Sequence, residues 1–163
     1  MLRRLKSDVE TSLLPKKEIY LFVGMSQVQK QLYKNILSGN IDVVNTAKPG
    51  ATEKIRLLNV LMQLKKVCNH PYLFENVEPG PPFVDGEHLV DACMKFKVLD
   101  LLLPKLFKQG FKVLIFSQMT RLLNILDDYL RFRGFKYCRI DGQTSSSDRE
   151  ERIDLFQNAA SDK

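Results

Sequence analysis

The sequence has no apolar run long enough to cross a bilayer, and no basic start followed by a signal-type apolar stretch. Cysteine is scarce, with three widely spaced residues, Cys68, Cys93 and Cys138. An odd, scattered set does not make a disulfide framework and indicates a reducing compartment. No internal repeat or heptad seam is present either, so neither a repeat array nor a coiled coil is predicted.

Histidine is nearly absent, and this bears on the one segment that resembles a metal site. Cys68-Asn69-His70 places a cysteine two residues from a histidine, but no second pair follows at zinc spacing and His88 is the only other histidine. We predict a buried cysteine and a hydrogen-bonded histidine there, and no metal site anywhere in the chain. On the same grounds Pro71 should stop a helix, and Tyr72 to Phe74 should pack into the core.

The net charge of the chain gives a first indication of its partner. Over 163 residues, 25 lysines and arginines outweigh 19 acidic residues, for a net charge of +6. Such a balance favours a polyanionic partner such as nucleic acid, although a mildly basic surface without any such partner explains it too. The length suits one core of ordinary size, or one domain with an appendage.

Hydrophobic periodicity divides the chain at a proline-rich segment, Glu78 to Pro82, which can be neither helix nor interior strand. Residues 1–82 are predicted to be mainly helical. The predicted elements there are a helix at 2–13, a strand at 19–23, a helix from a Ser26 cap to Leu37, a loop to Gly50 and a helix beginning at a Thr52 cap.

Residues 83–163 show a strand–helix–strand pattern. The predicted elements are a helix at 96–107 stopped by Gly110, a strand at 113–116, a helix at 120–132, a strand at 135–140 and a helix from a cap at Ser145, Ser146 or Ser147 to Gln157. This pattern predicts a parallel βαβ unit of an α/β fold. Two parallel strands do not make a stable sheet, so we expect the chain to be a piece of a larger domain.

Both predicted strands end in short polar residues, Ser117-Gln118-Met119-Thr120 and Asp141-Gly142-Gln143-Thr144. Ligands of open α/β sheets bind beyond the carboxyl ends of the strands. Hydroxyl groups, helix amino ends and a glycine suit phosphate oxygens, so the two tips suggest a phosphate-contacting rim. Ordinary helix capping by Thr120 and Asp141 explains the same residues equally well.

Several blocks of the sequence resemble one family. Val113-Leu-Ile-Phe-Ser-Gln-Met-Thr120 resembles motif IV of the second RecA-like lobe of Swi/Snf-type ATPases, and Tyr137-Cys-Arg-Ile-Asp-Gly-Gln-Thr144 resembles the next block. Val67-Cys-Asn-His-Pro-Tyr-Leu-Phe74 and Leu2-Arg-Arg-Leu-Lys-Ser-Asp-Val-Glu10 are similar to two further signatures. Glu78 to Pro82 together with Glu87 to Val90 resembles the imitation-switch (ISWI) subgroup. The Ser-Gly-Lys usual in the family before motif IV is Cys93-Met94-Lys95 here.

The resemblance implies an α/β fold: a partial RecA-like lobe with a parallel βαβ unit, truncated and placed at 83–163, preceded by a mainly helical family-specific region at 1–82. It also implies a parent protein that is a DNA-dependent ATPase, uses ATP with magnesium, translocates on duplex DNA and shifts nucleosomes. The chain has no phosphate-cradling G-x-x-x-x-G-K-[ST] motif. We therefore predict no catalytic residue, no bound cofactor and no ATP hydrolysis for this piece alone.

The site residues implied by the resemblance are contacts to the DNA backbone and an acidic surface that would suit a basic histone tail. The predicted DNA contacts are Ser117, Gln118, Arg121, Gly142, Thr144 and Arg149. The predicted histone-tail residues are Asp85, Glu87 and Asp91. An ion pair of Arg149 with Asp148, Glu150 or Glu151 is an equal alternative to DNA contact, and a solvated loop is the simpler interpretation of the acidic residues.

The expected partners are duplex DNA, the nucleosome, the first ATPase lobe and the rest of the second, in the nucleus and without a membrane. Cut from its sheet, the piece is predicted to be marginally stable or to associate through an unpaired edge. Two other classes remain as alternatives: a non-catalytic helical interaction module, and a small α/β response-type domain.

Overall fold

The computed structural model describes residues 3, 9, 12, 15–38 and 53–158. The described residues form six α-helices and one 3₁₀ turn. The helices are α1 (Gln27–Leu37), α2 (Glu53–Asn69), α3 (His88–Asp91), α4 (Met94–Lys108), α5 (Thr120–Phe132) and α6 (Ser146–Gln157), and the 3₁₀ turn is Pro71–Leu73. Most of the predicted helix at 2–13, most of the predicted loop after Leu37 and the predicted Thr52 cap lie outside the described residues.

Helix α1 begins where its cap predicts. The Ser26 side chain accepts the Gln29 backbone N–H at 3.1 Å, and the Gln29 side chain accepts the Ser26 N–H at 2.9 Å, which is a complete capping box. The amide of Gln29 is buried and donates to the Val67 carbonyl at 2.8 Å, which ties α1 to α2. Ile36, Val67 and Phe74 form the small core between these helices.

The larger core lies among the 3₁₀ turn, α3, α4 and α5. Its buried members are Leu73, Leu89, Val90, Cys93, Phe96, Leu103, Ile125, Leu126 and Tyr129. Tyr129 has no exposed surface, and its hydroxyl donates to Asp100 at 2.9 Å. Arg133 binds the same carboxylate and also Glu87, so the residues after the proline segment are fixed to the end of α5.

Helices α4 and α5 end in the same way. Gly110 and Gly134 have φ of +73° and +71°, a left-handed conformation that glycine adopts without a Cβ clash. In each case the glycine N–H and the N–H after it bond back to the last helical turn: Gly110 to Phe107, Phe111 to Leu106, Gly134 to Arg131 and Phe135 to Leu130. These are two Schellman motifs, and each ends its helix before a segment without regular secondary structure.

The predicted strands are wrong. The described part of the chain contains no β-strand at 19–23, 113–116 or 135–140, so the expected α/β fold with a parallel βαβ unit of a RecA-like lobe is replaced by a mainly helical fold. A strand exists only when its N–H and C=O groups pair with a neighbour. Among the backbone hydrogen bonds of the described residues, none joins 113–116 to 135–140.

The side chains of these segments are correspondingly uncovered. Leu114 is 64% exposed and Phe116 is 88% exposed. The apolar pattern of these runs is typical of a buried strand. Whether a strand forms depends on a second segment whose backbone can pair with it. None of the helices in the described ranges has the length and apolar character needed to span a membrane.

Candidate nucleic-acid interface

The first predicted tip, Ser117 to Thr120, is a local turn that leads into α5. Ser117 Oγ accepts the Met119 N–H at 3.1 Å and donates to the Met119 carbonyl at 3.2 Å, so its hydroxyl organises this turn. Met119 occupies the N-cap position of α5, and no side chain caps the helix. An uncapped helix amino end keeps N–H groups and a partial positive charge available for an anion. Gln118 and Arg121 are exposed beside it.

Arg121 has acidic neighbours as well. It borders a shallow groove whose other walls include Glu75, Glu78 and Phe83. Carboxylates near an arginine reduce the positive potential that it presents to a phosphate. Of the residues predicted at this tip, Gln118 is therefore the one whose side chain has neither a turn to maintain nor an acidic groove beside it.

The second tip, Asp141 to Thr144, is a turn organised by Asp141. Its backbone N–H donates to Thr144 Oγ1 at 3.0 Å, its carbonyl accepts the Thr144 N–H at 3.3 Å, and its carboxylate accepts the Gln143 N–H at 2.9 Å. The bond from Gln143 and the neighbouring Arg139 guanidinium hold the pKa of Asp141 below its usual range. The carboxylate is thus ionised and built into the turn.

Gly142 lies at the exposed point of this turn. A Cβ added there would have no atom within 4 Å, and its φ is outside the left-handed range. Neither the turn conformation nor packing within the chain therefore requires glycine. Close approach of another molecule to the backbone is a remaining reason for a residue without a side chain at this point.

Arg149 joins the second tip. Its Nη2 donates to the Asp141 carbonyl at 3.3 Å, and no ion pair with Asp148, Glu150 or Glu151 occurs in the described structure. Gly142, Thr144 and Arg149 are therefore brought together around Asp141. Ser117, Gln118 and Arg121 form a separate group at the start of α5.

The acidic residues predicted for a histone tail are mostly engaged within the chain. Both oxygens of Glu87 accept from Arg133, at 2.8 and 2.7 Å, and Asp91 pairs with Lys97 at 2.9 Å. Asp85 is exposed. A basic peptide would have to compete with these two cations, so the geometry gives this surface little unbalanced negative charge.

The Cys68-Asn69-His70 segment is structural in its geometry. His70 Nδ1 accepts the Tyr72 N–H at 3.2 Å, so its Nε2 carries the proton and donates to the Leu89 carbonyl at 2.9 Å. Burial lowers the pKa of His70 to about 4, and both ring nitrogens are occupied. Among the described residues no three histidine, cysteine or acidic side chains cluster in a way that could hold a metal ion. The predicted stop at Pro71 is confirmed, as is the burial of Leu73 and Phe74, while Tyr72 is half-buried against the core.

Cys93, which stands where the family usually has serine, contacts the same end of α2. It is fully buried at the N-cap of α4, and its thiol donates to the Asn69 carbonyl at 3.1 Å. Burial raises its pKa, so the group stays a neutral thiol. Lys95 donates to the Asn69 side chain at 3.0 Å, so Cys93 and Lys95 both fix the start of α4 to the end of α2.

Three residues that support the second tip were not predicted: Arg139, Asn124 and Asp127. The side chain of Arg139 lies 2.8 Å from Asn124 and 2.5 Å from Asp127, and it also binds Asp141 at 2.9 Å. The signal in the sequence is an arginine near the end of the run from Phe135 to Ile140, in which Lys136 is the other charged residue. The pattern of that run predicts a strand and gives no partner for the arginine.

Two family models match the chain, the SNF2-related domain over residues 1–73 and the helicase conserved C-terminal domain over residues 94–162. The chain thus carries sequence of an SNF2-related domain followed by sequence of a helicase conserved C-terminal domain.

Within that class the similarity is to ISWI proteins. The chain is 58% identical over 156 residues to the ISWI chromatin-remodeling complex ATPase ISW1 of Saccharomyces cerevisiae, covering 96% of this chain and 14% of that protein. It is 56% identical over 163 residues to the human SWI/SNF-related matrix-associated actin-dependent regulator of chromatin subfamily A member 1, covering 100% of this chain and 16% of that protein. The zebrafish chromodomain-helicase-DNA-binding protein 1-like is 48% identical over 156 residues, 96% of this chain and 15% of that protein. The chain thus spans about one seventh of the curated relatives' length.

Proposed function

We propose that this chain is part of an ATP-dependent chromatin-remodelling motor of the ISWI type, and that within it the two polar tips contact the DNA backbone. The observation that carries the proposal is identity of 54 to 58% across the chain to proteins named as ISWI or related remodelling ATPases. The net charge of +6 supports a polyanionic partner. No comparison reported above supports the alternative of a helical interaction module.

The cofactors and location follow from the same proposal. The motor uses ATP with magnesium, acts on nucleosomes and works in the nucleus. The nucleotide requires a phosphate cradle, and this sequence has no such motif. This chain therefore contributes DNA contact and part of the helicase C-terminal region, and we expect no ATP turnover by the 163-residue piece above a buffer blank.

The DNA contacts proposed here are Gln118, Gly142, Thr144 and Arg149, with Arg121 and Ser117 in supporting places. Thr144 Oγ1 accepts the Asp141 N–H and donates only a long bond of 3.5 Å to Asp141 Oδ1, so a phosphate oxygen would compete with a weak acceptor for its hydroxyl proton. The Ser117 hydroxyl donates at 3.2 Å to the Met119 carbonyl of its own turn and is less free to do so. The histone-tail surface of Asp85, Glu87 and Asp91 stays a prediction and is not part of this proposal.

The test is duplex binding by the 163-residue chain, measured by fluorescence anisotropy at a series of salt concentrations. Arg149→Gln removes one cation that neutralises a phosphate, so the slope of log K against log salt should decrease by about 0.9. Gln118→Ala removes a neutral contact, so it should weaken binding without changing that slope.

Lys105→Gln is the matched charge control, because Lys105 is an exposed cation in the last turn of α4 and belongs to neither tip. It should keep the wild-type slope. If Arg149→Gln and Lys105→Gln gave the same slope and affinity as each other, only the overall charge would matter and the proposed contact at the second tip would be wrong.

A further inference from the structure

Arg139 is held by three side chains at once. Its Nε donates to Asp141 Oδ2 at 2.9 Å, and its Nη1 donates to Asn124 Oδ1 at 2.8 Å and to Asp127 Oδ2 at 2.5 Å. The remaining nitrogen, Nη2, lies 2.9 Å from Asp141 Oδ2. All three guanidinium nitrogens are therefore engaged within the chain.

The charges around Arg139 argue against a direct role in binding a phosphate. One guanidinium faces two carboxylates, Asp127 and Asp141, whose side chains are only 21% and 14% exposed. These two carboxylates neutralise the guanidinium, so Arg139 itself presents no net positive charge to a DNA phosphate. The fork geometry of arginine instead suits simultaneous binding of several oxygen acceptors.

Asp141 transmits the position of Arg139 to the predicted DNA contacts. One oxygen of its carboxylate is bound by Arg139, and the other accepts the Gln143 N–H. Its backbone N–H binds Thr144, and its carbonyl binds Arg149. Displacement of the Asp141 side chain would therefore displace the whole turn that carries Gly142 and Thr144.

The backbone of Arg139 is fixed as well. Arg152 of α6 donates to the Arg139 carbonyl, while the Arg139 side chain binds α5 through Asn124 and Asp127. The residue thus links α5, α6 and the second tip. Since α5 begins at Thr120, next to the first tip, this link also sets the second tip relative to the first.

We propose that Arg139 is a positioning residue, which holds the Asp141–Thr144 turn on α5 so that Gly142 and Thr144 face the DNA backbone. The inference rests on the proposed function, because it assumes that this turn contacts DNA. It adds that the affinity of the turn for DNA depends on a residue that does not itself contact DNA.

Arg139→Lys is the direct test, since lysine keeps the charge but cannot bind three acceptors in one plane. Duplex affinity of the 163-residue chain should fall about tenfold, comparable with the loss of one charge-assisted hydrogen bond. A residue that acted only through its charge would give wild-type affinity in this variant.

Arg133→Lys is the matched structural control. The Arg133 side chain is likewise 25% exposed and binds two carboxylates, Glu87 and Asp100, but it has no bond to either tip. Both variants should lower the midpoint of urea unfolding, and only Arg139→Lys should lower DNA affinity. Equal DNA losses in the two variants would show a general effect of weakened folding and overturn the proposal.

A double-mutant cycle with Gly142→Ala provides the readout specific to positioning. If Arg139 acts through the turn, a misplaced turn has nothing more to lose at Gly142. The double variant should then bind about as weakly as either single variant, rather than about a hundredfold below wild type. Additive losses would overturn the positioning role.

Asp127→Asn keeps the size and one oxygen acceptor, and it serves if Arg139→Lys does not fold. It should reduce DNA affinity in the same direction but by less, and wild-type affinity in a folded Asp127→Asn variant would contradict the proposal. The same variants separate a failure of the proposed function from a failure of the positioning role. If Gly142→Ala, Gln118→Ala and Arg149→Gln all bind DNA as wild type does, the proposed DNA contact is wrong. If these three variants weaken binding and Arg139→Lys does not, only the positioning role is wrong.

Discussion

The helical core and the segment Phe111–Phe116 both carry large apolar residues, yet the structure buries those of the core and exposes most of those of the segment. Tyr129 in the core has 0% exposure, whereas Phe116 has 88%. Helices α3, α4 and α5 supply one another with apolar faces. Among the described residues, no backbone N–H or C=O group of Val113 to Phe116 is bonded to the backbone of another segment. Apolar composition thus creates a need for partners, and only the helices meet it here.

The largest expected effect contrasts one aromatic residue from each region. Tyr129→Ala removes a buried ring that packs on Phe96 with ring centres 5.5 Å apart, and it leaves the Asp100 carboxylate without the hydroxyl bond. The free energy of unfolding should fall by about 3–5 kcal/mol. Phe116→Ala should change it by less than about 0.5 kcal/mol.

Urea unfolding of both variants, followed by far-ultraviolet circular dichroism, measures this contrast. Tyr129→Phe is the matched control, because it keeps the ring and removes only the hydroxyl. Its loss should be smaller than that of Tyr129→Ala. A loss for Phe116→Ala as large as that for Tyr129→Ala would mean that Phe111–Phe116 is packed in solution, and the contrast between the regions would not hold.

Local signals explain why the helices could be predicted and the strands could not. The Ser26 cap, the Ser145 cap and the glycine at Gly110 act on groups within six residues, and α1, α6 and the end of α4 lie where these residues predict. The apolar run from Val113 to Phe116 predicts a buried strand, and the structure shows no strand there and leaves Leu114 and Phe116 exposed. Its pairing depends on distant backbone, which a local pattern does not contain.

In the candidate site, too, the features set by neighbouring residues could be predicted and those set by distant residues could not. The polar tips at Ser117 and at Gly142 were found from their place after an apolar run, and the turn at Asp141 is a local one. Arg139 was missed because its partners Asn124 and Asp127 stand 15 and 12 residues away. Only the return of the chain beside α5 brings them together. The predicted division of the chain at Pro82 and the predicted DNA contacts stay predictions.

The next effect concerns pH and the buried end of α2. His70 has a pKa of about 4 in the folded chain against an ordinary value of 6.5, because burial disfavours the imidazolium. Between these values the unfolded chain binds a proton that the folded chain does not. The contribution to stability is therefore complete above pH 6.5 and is lost as the pH falls towards 4, by about 3 kcal/mol in total.

His70→Gln isolates this contribution, because glutamine can donate to the Leu89 carbonyl but does not titrate. Stability curves of the two proteins between pH 7 and pH 4 share the effects of the carboxylates, so their difference reports His70. The wild type should lose more stability than the variant across this window. Parallel curves would show that the histidine is accessible to protons and not packed as the core requires.

A smaller effect is expected for association of the exposed segment. The described structure has no sheet edge through which the chain could associate, but Phe111, Leu114 and Phe116 present an uncovered apolar surface. Self-association should therefore appear in sedimentation at high concentration and weaken in Phe116→Ser. Leu61→Ser, at a 57% exposed residue of α2, is the control. Equal association of the two variants would place the contact elsewhere.

The last prediction compares two glycines, Gly110 before the segment Phe111–Phe116 and Gly142 in the second tip. Gly110 has φ of +73°, so Gly110→Ala should cost about 1–2 kcal/mol of backbone strain although an added Cβ meets no atom. Gly142 also has open space around it but no left-handed φ, so Gly142→Ala should change stability by less than about 0.5 kcal/mol. Thermal unfolding measures both changes in stability.

In duplex binding, Gly142→Ala should have the larger effect of the two, because a methyl group at Gly142 obstructs the approach of a DNA backbone, whereas Gly110 belongs to neither tip. A Gly142→Ala variant that folds and binds DNA as wild type does would remove the turn from the interface.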